Sequence, residues 1–234
     1  MDVEDCLTQT IYDLFTVEGA VCAPVGLSKE ARSLALSCGT QIVSQATEDL
    51  LAFVERDPSL MGEPSYALVS NGPFMATLCY RIAHYAWVNS PRIDARRNAL
   101  AISHFGRVLT GAEIHPAAEV GRRFILDHGT NTVIGATCEI GDDCYVLNGV
   151  VLGARGIAGN APTKRHPTIG DRVEIGSFAR VLGDIHVGDD VFICPHSVIT
   201  QDVPSGGEFR RVVKNGPVNL TIHEGRRGDL RNAV

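Results

Sequence analysis

The sequence predicts an α+β protein: an N-terminal helical domain followed by a parallel β-helix. Three observations carry this. Between Ile114 and Val203 an aliphatic residue recurs every six places: Ile114, Val120 and Leu126, then after a two-residue slip Ile134, Ile140, Val146 and Leu152, then after a long interruption Ile169, Ile175, Val181, Val187, Ile193 and Ile199. Four places after most of these leads stands a small or apolar residue, among them Ala118, Phe124, Thr130, Cys138, Cys144, Val150, Val173, Ala179, Val191 and Ser197. Upstream of about residue 108 the period of six is missing. Six residues fit neither an isolated helix nor a hairpin meander. They fit a coil in which each hexad forms one flat side, so that stacking buries the leads.

The elements follow in order. Ser28 is positioned to cap a helix whose apolar residues (Leu34, Ala35, Ile42, Val43, Ala46, Leu50, Leu51, Val54) recur at three and four and so face a core. Arg56-Asp57-Pro58 ends it, because proline disfavours helix in the residue before it. After the break at Asn71-Gly72-Pro73 a second helix runs from Phe74 to about Trp87, and after Ser90-Pro91 a third from about Ile93 to Phe105. The division is therefore 1–108 helical, 109–204 β-helix, and 205–234 a capping segment with a basic tail that includes Arg210, Arg211, Lys214, Arg226 and Arg227.

Composition narrows the function. A net charge of −6 and 6% aromatic residues argue against nucleic acid. No apolar run approaches the roughly 20 residues of a membrane span, and the acidic start MDVEDCLTQT lacks a signal-peptide layout. Seven scattered cysteines without a CxxC pair indicate neither a disulfide framework nor a zinc knuckle, so a cytoplasmic location is expected. Cys138 and Cys144 fall on inward positions and read as small core residues. His186 and His196 stand ten apart on outward positions and give no reason to expect a metal.

The segment Gly153–Pro167 (GARGIAGNAPTKRHP) interrupts a regular coil, and a loop of this size in such a place usually serves function. It ends in Lys164-Arg165-His166, while His128 in Leu126-Asp127-His128-Gly129-Thr130 sits beside the two-residue slip. A histidine near neutrality takes a proton from a hydroxyl when a carboxylate holds its tautomer, and Glu113 and Asp127 are both candidates for that carboxylate. On its own, Asp57 reads equally as a helix-end residue. His115 and Pro116 read as shaping the first coil, and Arg81 and His84 as packing or subunit contact.

The strings Glu113-Ile-His-Pro-Ala-Ala-Glu-Val-Gly121, Leu126-Asp-His-Gly-Thr130, Val151-Leu-Gly153 and Arg165-His-Pro167 resemble, in order and spacing, the serine O-acetyltransferases among the hexapeptide-repeat acyltransferases. Arg56-Asp57-Pro58 and Tyr80-Arg81-Ile82-Ala83-His84 are similar to the same family's helical domain, so the resemblance covers about residues 30 to 204. It implies a left-handed β-helix, a trimer (a hexamer being the alternative) with active sites between subunits, acetyl-CoA as co-substrate and L-serine as acceptor, in cysteine biosynthesis. By that resemblance His128 is the general base oriented by Glu113. Asp57 and Asp127 hold the ammonium, Arg165 and His166 hold the carboxylate, and Gly153, Ala179 and Pro195 line the CoA channel. It also implies docking of the C-terminus, here Val234, into a cysteine-synthase-like partner.

The sequence departs from the family at the orienting residue, where Glu113 replaces an aspartate, and at Gly153-Ala154-Arg155-Gly156 and Cys194-Pro195-His196 near the expected CoA channel. The helical domain is shorter by about one hairpin. Two alternatives therefore stay open: another serine-like hydroxy amino acid as acceptor, or a scaffold that has lost the chemistry.

Overall fold

The computed structural model describes residues 2–16, 27–70, 72–206, 208–212 and 219–223. Among the described residues five α-helices precede the strands: α1 (Val3–Thr16), α2 (Lys29–Arg56), α3 (Pro64–Ser70), α4 (Gly72–Asn89) and α5 (Ile93–Thr110). Ser28 caps α2 by accepting the Ala31 amide, and Gly111, left-handed at φ 78, closes α5. The face of α2 expected from its spacing is buried at Ala35, Ile42, Ala46, Leu50 and Val54. Leu51 is the exception at 42% exposed, because it lies a third of a turn past the packed stripe. Among the described residues no helix is long and apolar enough to cross a membrane.

Four coils and the start of a fifth follow. The first is β1 (Glu113–Ile114), β2 (Glu119–Val120) and β3 (Ile125–Leu126); the second β4 (Val133–Ile134), β5 (Glu139–Ile140) and β6 (Tyr145–Val146). The third is β7 (Val151–Gly153), β8 (Thr168–Ile169) and β9 (Glu174–Ile175); the fourth β10 (Arg180–Leu182), β11 (His186–Val187) and β12 (Phe192–Ile193), with β13 (Val198–Ile199) opening a fifth. They form three parallel faces: a first face β1-β4-β7-β10-β13, a second face β2-β5-β8-β11, and a third face β3-β6-β9-β12. β14 (Glu208–Val212) joins the third face beside β12, and β15 (Asn219–His223) pairs with it antiparallel. The basic tail beyond His223 and the Val234 terminus lie outside the described residues.

Register explains the pattern of six. Glu113 pairs with Val133, Val133 with Val151, Val151 with Arg180 and Arg180 with Val198, so successive coils take 20, 18, 29 and 18 residues. Eighteen is three hexads. The slip adds two residues to the first coil and the excursion eleven to the third. All thirteen aliphatic leads are buried, from Val120 at 9% exposed to residues at 0%. The slip moves one inward position: Thr130 is exposed, and Thr132, fully buried with its hydroxyl donating to the Leu147 carbonyl, takes the place in the core expected for Thr130. Cys138 and Cys144 are core residues whose thiols burial pushes up to about 12, which leaves them unreactive.

Two devices hold the stack. At the second-to-third corner each coil receives an amide from the coil before it: Arg122 N donates to Asp142 Oδ1 (2.7 Å), Asp142 N to Asp171 Oδ1 (2.8 Å), Asp171 N to Asp189 Oδ1 (2.9 Å) and Asp189 N to Ser205 Oγ (3.0 Å). At the open end of the first coil, α4 and α5 satisfy edge carbonyls that a preceding coil would otherwise take. Tyr80 OH donates to Ala118 O (2.7 Å), Ser103 Oγ to Ile114 O (2.7 Å) and His84 Nδ1–H to Pro116 O (2.9 Å). Arg81 donates to Val120 O and Gly121 O (both 2.6 Å) while its other edge grips Asp49 at 2.8 and 3.0 Å, with both side chains buried. The string Tyr80–His84 is thus a clamp between the two parts of the protein.

Candidate active site

The two-residue slip builds the third-to-first corner of the first coil. His128 and Gly129 are both left-handed there, at φ 56 and 60, and Asn131 again at 63. A left-handed histidine is uncommon and stores strain of about 1–3 kcal/mol, a feature concentrated at functional sites. Its imidazole is 74% exposed, with Nε2 at 3.8 Å from Asp127 Oδ1. The other oxygen, Asp127 Oδ2, accepts a hydrogen bond from Tyr145 OH at 2.8 Å. The Arg56 guanidinium lies over the Tyr145 ring, 4.9 Å from its centroid, and pairs with Glu174. Asp57 ends α2 alongside. Its Oδ1 accepts the Ser59 amide (2.8 Å), so it is a helix-end residue, and its charge also reaches the Tyr145 phenol. Burial, the bond to Asp127 and the charges of Asp127 and Asp57 push that phenol up, so it stays protonated. Arg56, Tyr145, Leu147, Glu174, Gly176, Phe192 and Pro195 enclose a cavity of about 270 Å³ beside this group.

The excursion builds the first-to-second corner. Thr137 organises it: its Oγ1 accepts the amides of Arg165 (3.1 Å) and His166 (3.2 Å), while its own amide donates to His166 Nδ1 (3.1 Å). With Nδ1 an acceptor, the neutral His166 ring carries its proton on Nε2. Burial lowers the His166 pKa, and the charges of Arg165, His115 and Lys164 lower it further. The ring packs on Gly135, where a Cβ would stand 2.3 Å from it, so this position admits no side chain while the imidazole is in place. His115 accepts the Ala117 amide at Nδ1 (3.0 Å) and meets Trp87 edge-on, which fits its reading as a shaper of the first coil. Lys164 is held by Glu139 at 2.8 Å.

These two groups stand at opposite edges of the first face. One hexad separates them, somewhat less than the roughly 20 Å that six fully extended residues would span at about 3.3 Å each. A single amino acid spans only about 3.5 Å of backbone. One chain therefore does not bring His128, Asp127 and Asp57 together with Arg165 and His166. Glu113, on β1, pairs with Arg107 (2.8 Å), and its charge acts on His115. The residues read as lining the CoA channel divide in the same way: Gly153 ends β7 at the excursion, whereas Ala179 and Pro195 lie at the third-to-first corner, where Ala179 N donates to Gly176 O.

The model of the bacterial transferase hexapeptide family (six repeats) matches residues 166–201. The chain is 43% identical over 153 residues to the serine acetyltransferase of Helicobacter pylori, covering 65% of this chain and 85% of that protein. The chain belongs to the serine acetyltransferase family. A second relative, the serine acetyltransferase of Mycobacterium tuberculosis, is 42% identical over 156 residues, 67% of this chain and 65% of its own length, so the match spans just under two thirds of that protein. Soybean serine acetyltransferase complexed with serine superposes with a TM-score of 0.76 at 32% identity, over 92% of this chain and 84% of that one. As in the serine acetyltransferase family, the stack of hexads is a left-handed β-helix.

Two members of these clusters, and Asp49 of the clamp, escaped the sequence reading. Thr137 becomes visible only with the register, because Glu139 pairs with Thr168 and so sets Thr137 opposite His166. Tyr145 carried a weak signal as an aromatic on an outward position of β6, level with Ile125. Asp49, within an ordinary helical stretch, showed none.

Proposed function

We propose that the chain transfers an acetyl group from acetyl-CoA to the hydroxyl of L-serine, giving O-acetylserine for cysteine synthesis. The observation that carries this is the complementarity of the two corners to a zwitterion bearing a hydroxyl. One corner offers two carboxylates beside an exposed imidazole, which suits an ammonium and a neighbouring hydroxyl. The other offers a guanidinium and an imidazole N–H, which suits a carboxylate. In this reading His128 takes the hydroxyl proton, the serine oxygen attacks the thioester carbonyl, and the intermediate collapses with loss of the CoA thiolate. The imidazolium then returns its proton to that sulfur, leaving CoA thiol and ester. Asp57 and Asp127 hold the ammonium, Arg165 and His166 the carboxylate, and Gly153, Ala179 and Pro195 flank the CoA. Glu113 orients His128 once it turns from Arg107.

The same separation supports a cyclic trimer. A heterologous contact that sets the third-to-first corner of one chain against the first-to-second corner of the next closes after three copies and completes three sites. We infer a trimer in preference to a hexamer because a closed ring of three is the smallest assembly that completes every site. Buried unpaired thiols at Cys79, Cys138 and Cys144 support a reducing compartment, the cytoplasm. A cysteine-synthase-like partner completes the proposal.

The test is thiol release from acetyl-CoA across a panel of hydroxy amino acids, with sedimentation on the same preparation. Turnover with L-serine by a trimer is expected. Turnover confined to another acceptor, or a stable active monomer, overturns the corresponding part.

A further inference from the structure

We propose that Tyr145 is a positioning residue that fixes Asp127 and thereby sets the preference for acceptors carrying an ammonium group. The proposal rests on the reading of the acceptor site given above. Asp127 has two oxygens with different work. Oδ1 faces His128 Nε2 at 3.8 Å, while Oδ2 receives the Tyr145 hydroxyl at 2.8 Å. A carboxylate with neither oxygen held rotates about its last bond, and the phenol, by holding Oδ2, restricts that freedom. Asp127 is left with an open lone pair on the side of the imidazole, where ammonium and hydroxyl of one small acceptor must sit together.

The phenol is itself held in place. Tyr145 stands on β6 between Ile125 of β3 and Glu174 of β9 in register, and Ile125 is buried in the helical core. Arg56 covers the ring from the end of α2 and is anchored by Glu174. Because Asp57 follows Arg56 in the chain, the cover that seats the ring also delivers the second carboxylate. The Tyr145 phenol thus links the two anions. It bonds to one and feels the charge of the other, and its raised pKa keeps it a donor rather than a base at any working pH.

The experiment compares Tyr145→Phe with wild type on two acceptors, L-serine and 3-hydroxypropionate, which keeps hydroxyl and carboxylate but lacks the ammonium. Steady-state kinetics and direct calorimetric binding are measured for both, on the full-length assembled protein. The variant keeps the ring and loses one hydroxyl, so its thermal midpoint serves as the control for folding. The expected result is a rise of about tenfold in KM and Kd for serine. Values for 3-hydroxypropionate and the KM for acetyl-CoA should stay within about twofold, with kcat on serine little changed. Equal losses on both acceptors, or none on serine, overturn the proposal. Failure of the underlying reading looks different: a wild type that binds serine without releasing thiol overturns acyl transfer, while the contrast between acceptors in binding still decides Tyr145. A wild type that binds neither acceptor overturns both.

Discussion

If each site is shared between neighbours, two inactive variants should repair one another. His128→Ala removes the base at the third-to-first corner, and Arg165→Ala removes the carboxylate clamp at the first-to-second corner, one face away on the same chain. Alone, each assembly carries its defect in every site, and the loss for the first is roughly 10²–10⁴-fold. In a trimer assembled at random from equal amounts, a site works when its base comes from an Arg165→Ala chain and its clamp from a His128→Ala chain. Each choice has even odds, so about one quarter of sites are intact in a closed three-membered ring. Differently tagged variants would be co-expressed, the mixed assemblies purified over both tags, and thiol release measured per chain against wild type. Requiring both tags removes the pure trimers and raises the intact share to about one third. Activity no greater than the mean of the two parents would place base and clamp in one chain and refute the argument from face width.

Other expectations follow from particular contacts. Glu113→Gln should depress kcat while leaving serine binding nearly intact, since the partner of an imidazolium matters mainly in the transition state, and steady-state kinetics read this split. Arg107→Ala should leave kcat equal or raised by freeing Glu113; a loss as large as that of Glu113→Gln would make the ion pair itself essential. Asp49→Ala strands the buried Arg81 and should destabilise the protein by about 3–5 kcal/mol in denaturant titration; a loss under about 1 kcal/mol would mean the clamp is dispensable. His84, His115 and His166 all have pKa values lowered mainly by burial. The unfolded chain therefore binds protons that the folded chain refuses, and stability should fall as pH drops from about 7 toward 5, above the range in which carboxylates titrate. An unfolding midpoint that is flat or rising on acidification through that window would contradict it.

The β-helix was legible because its physics is periodic. One residue in six must be aliphatic to fill a narrow core, and thirteen leads in step leave no other arrangement that buries them all. The helices of the first domain were legible through Ser28, Pro58 and the three-and-four spacing of α2. The site was only half legible. His128, Arg165 and His166 stood out because they flank the two breaks in the period, yet no period reveals what lies across a corner from what. Tyr145 and Asp127 are 18 residues apart in the chain and one coil apart in space. Arg107 took Glu113 because α5 ends beside β1, a proximity set by packing. Asp49 on α2 pairs with Arg81 on α4 across 32 residues of sequence, which no local signal announces.

The ladder of Asp142, Asp171 and Asp189 makes the rod a counter. Each carboxylate recognises an amide of the coil before it, and the same handshake is renewed although successive rungs lie 20, 29, 18 and 16 residues apart. Ser205 ends the series with a neutral hydroxyl on the last rung. Length in this architecture therefore varies at the corners, while the strands between them keep step. The excursion that carries Arg165 and His166 is tolerated because it leaves and rejoins the count at the same rung. New chemistry could be grafted at any corner under the same condition.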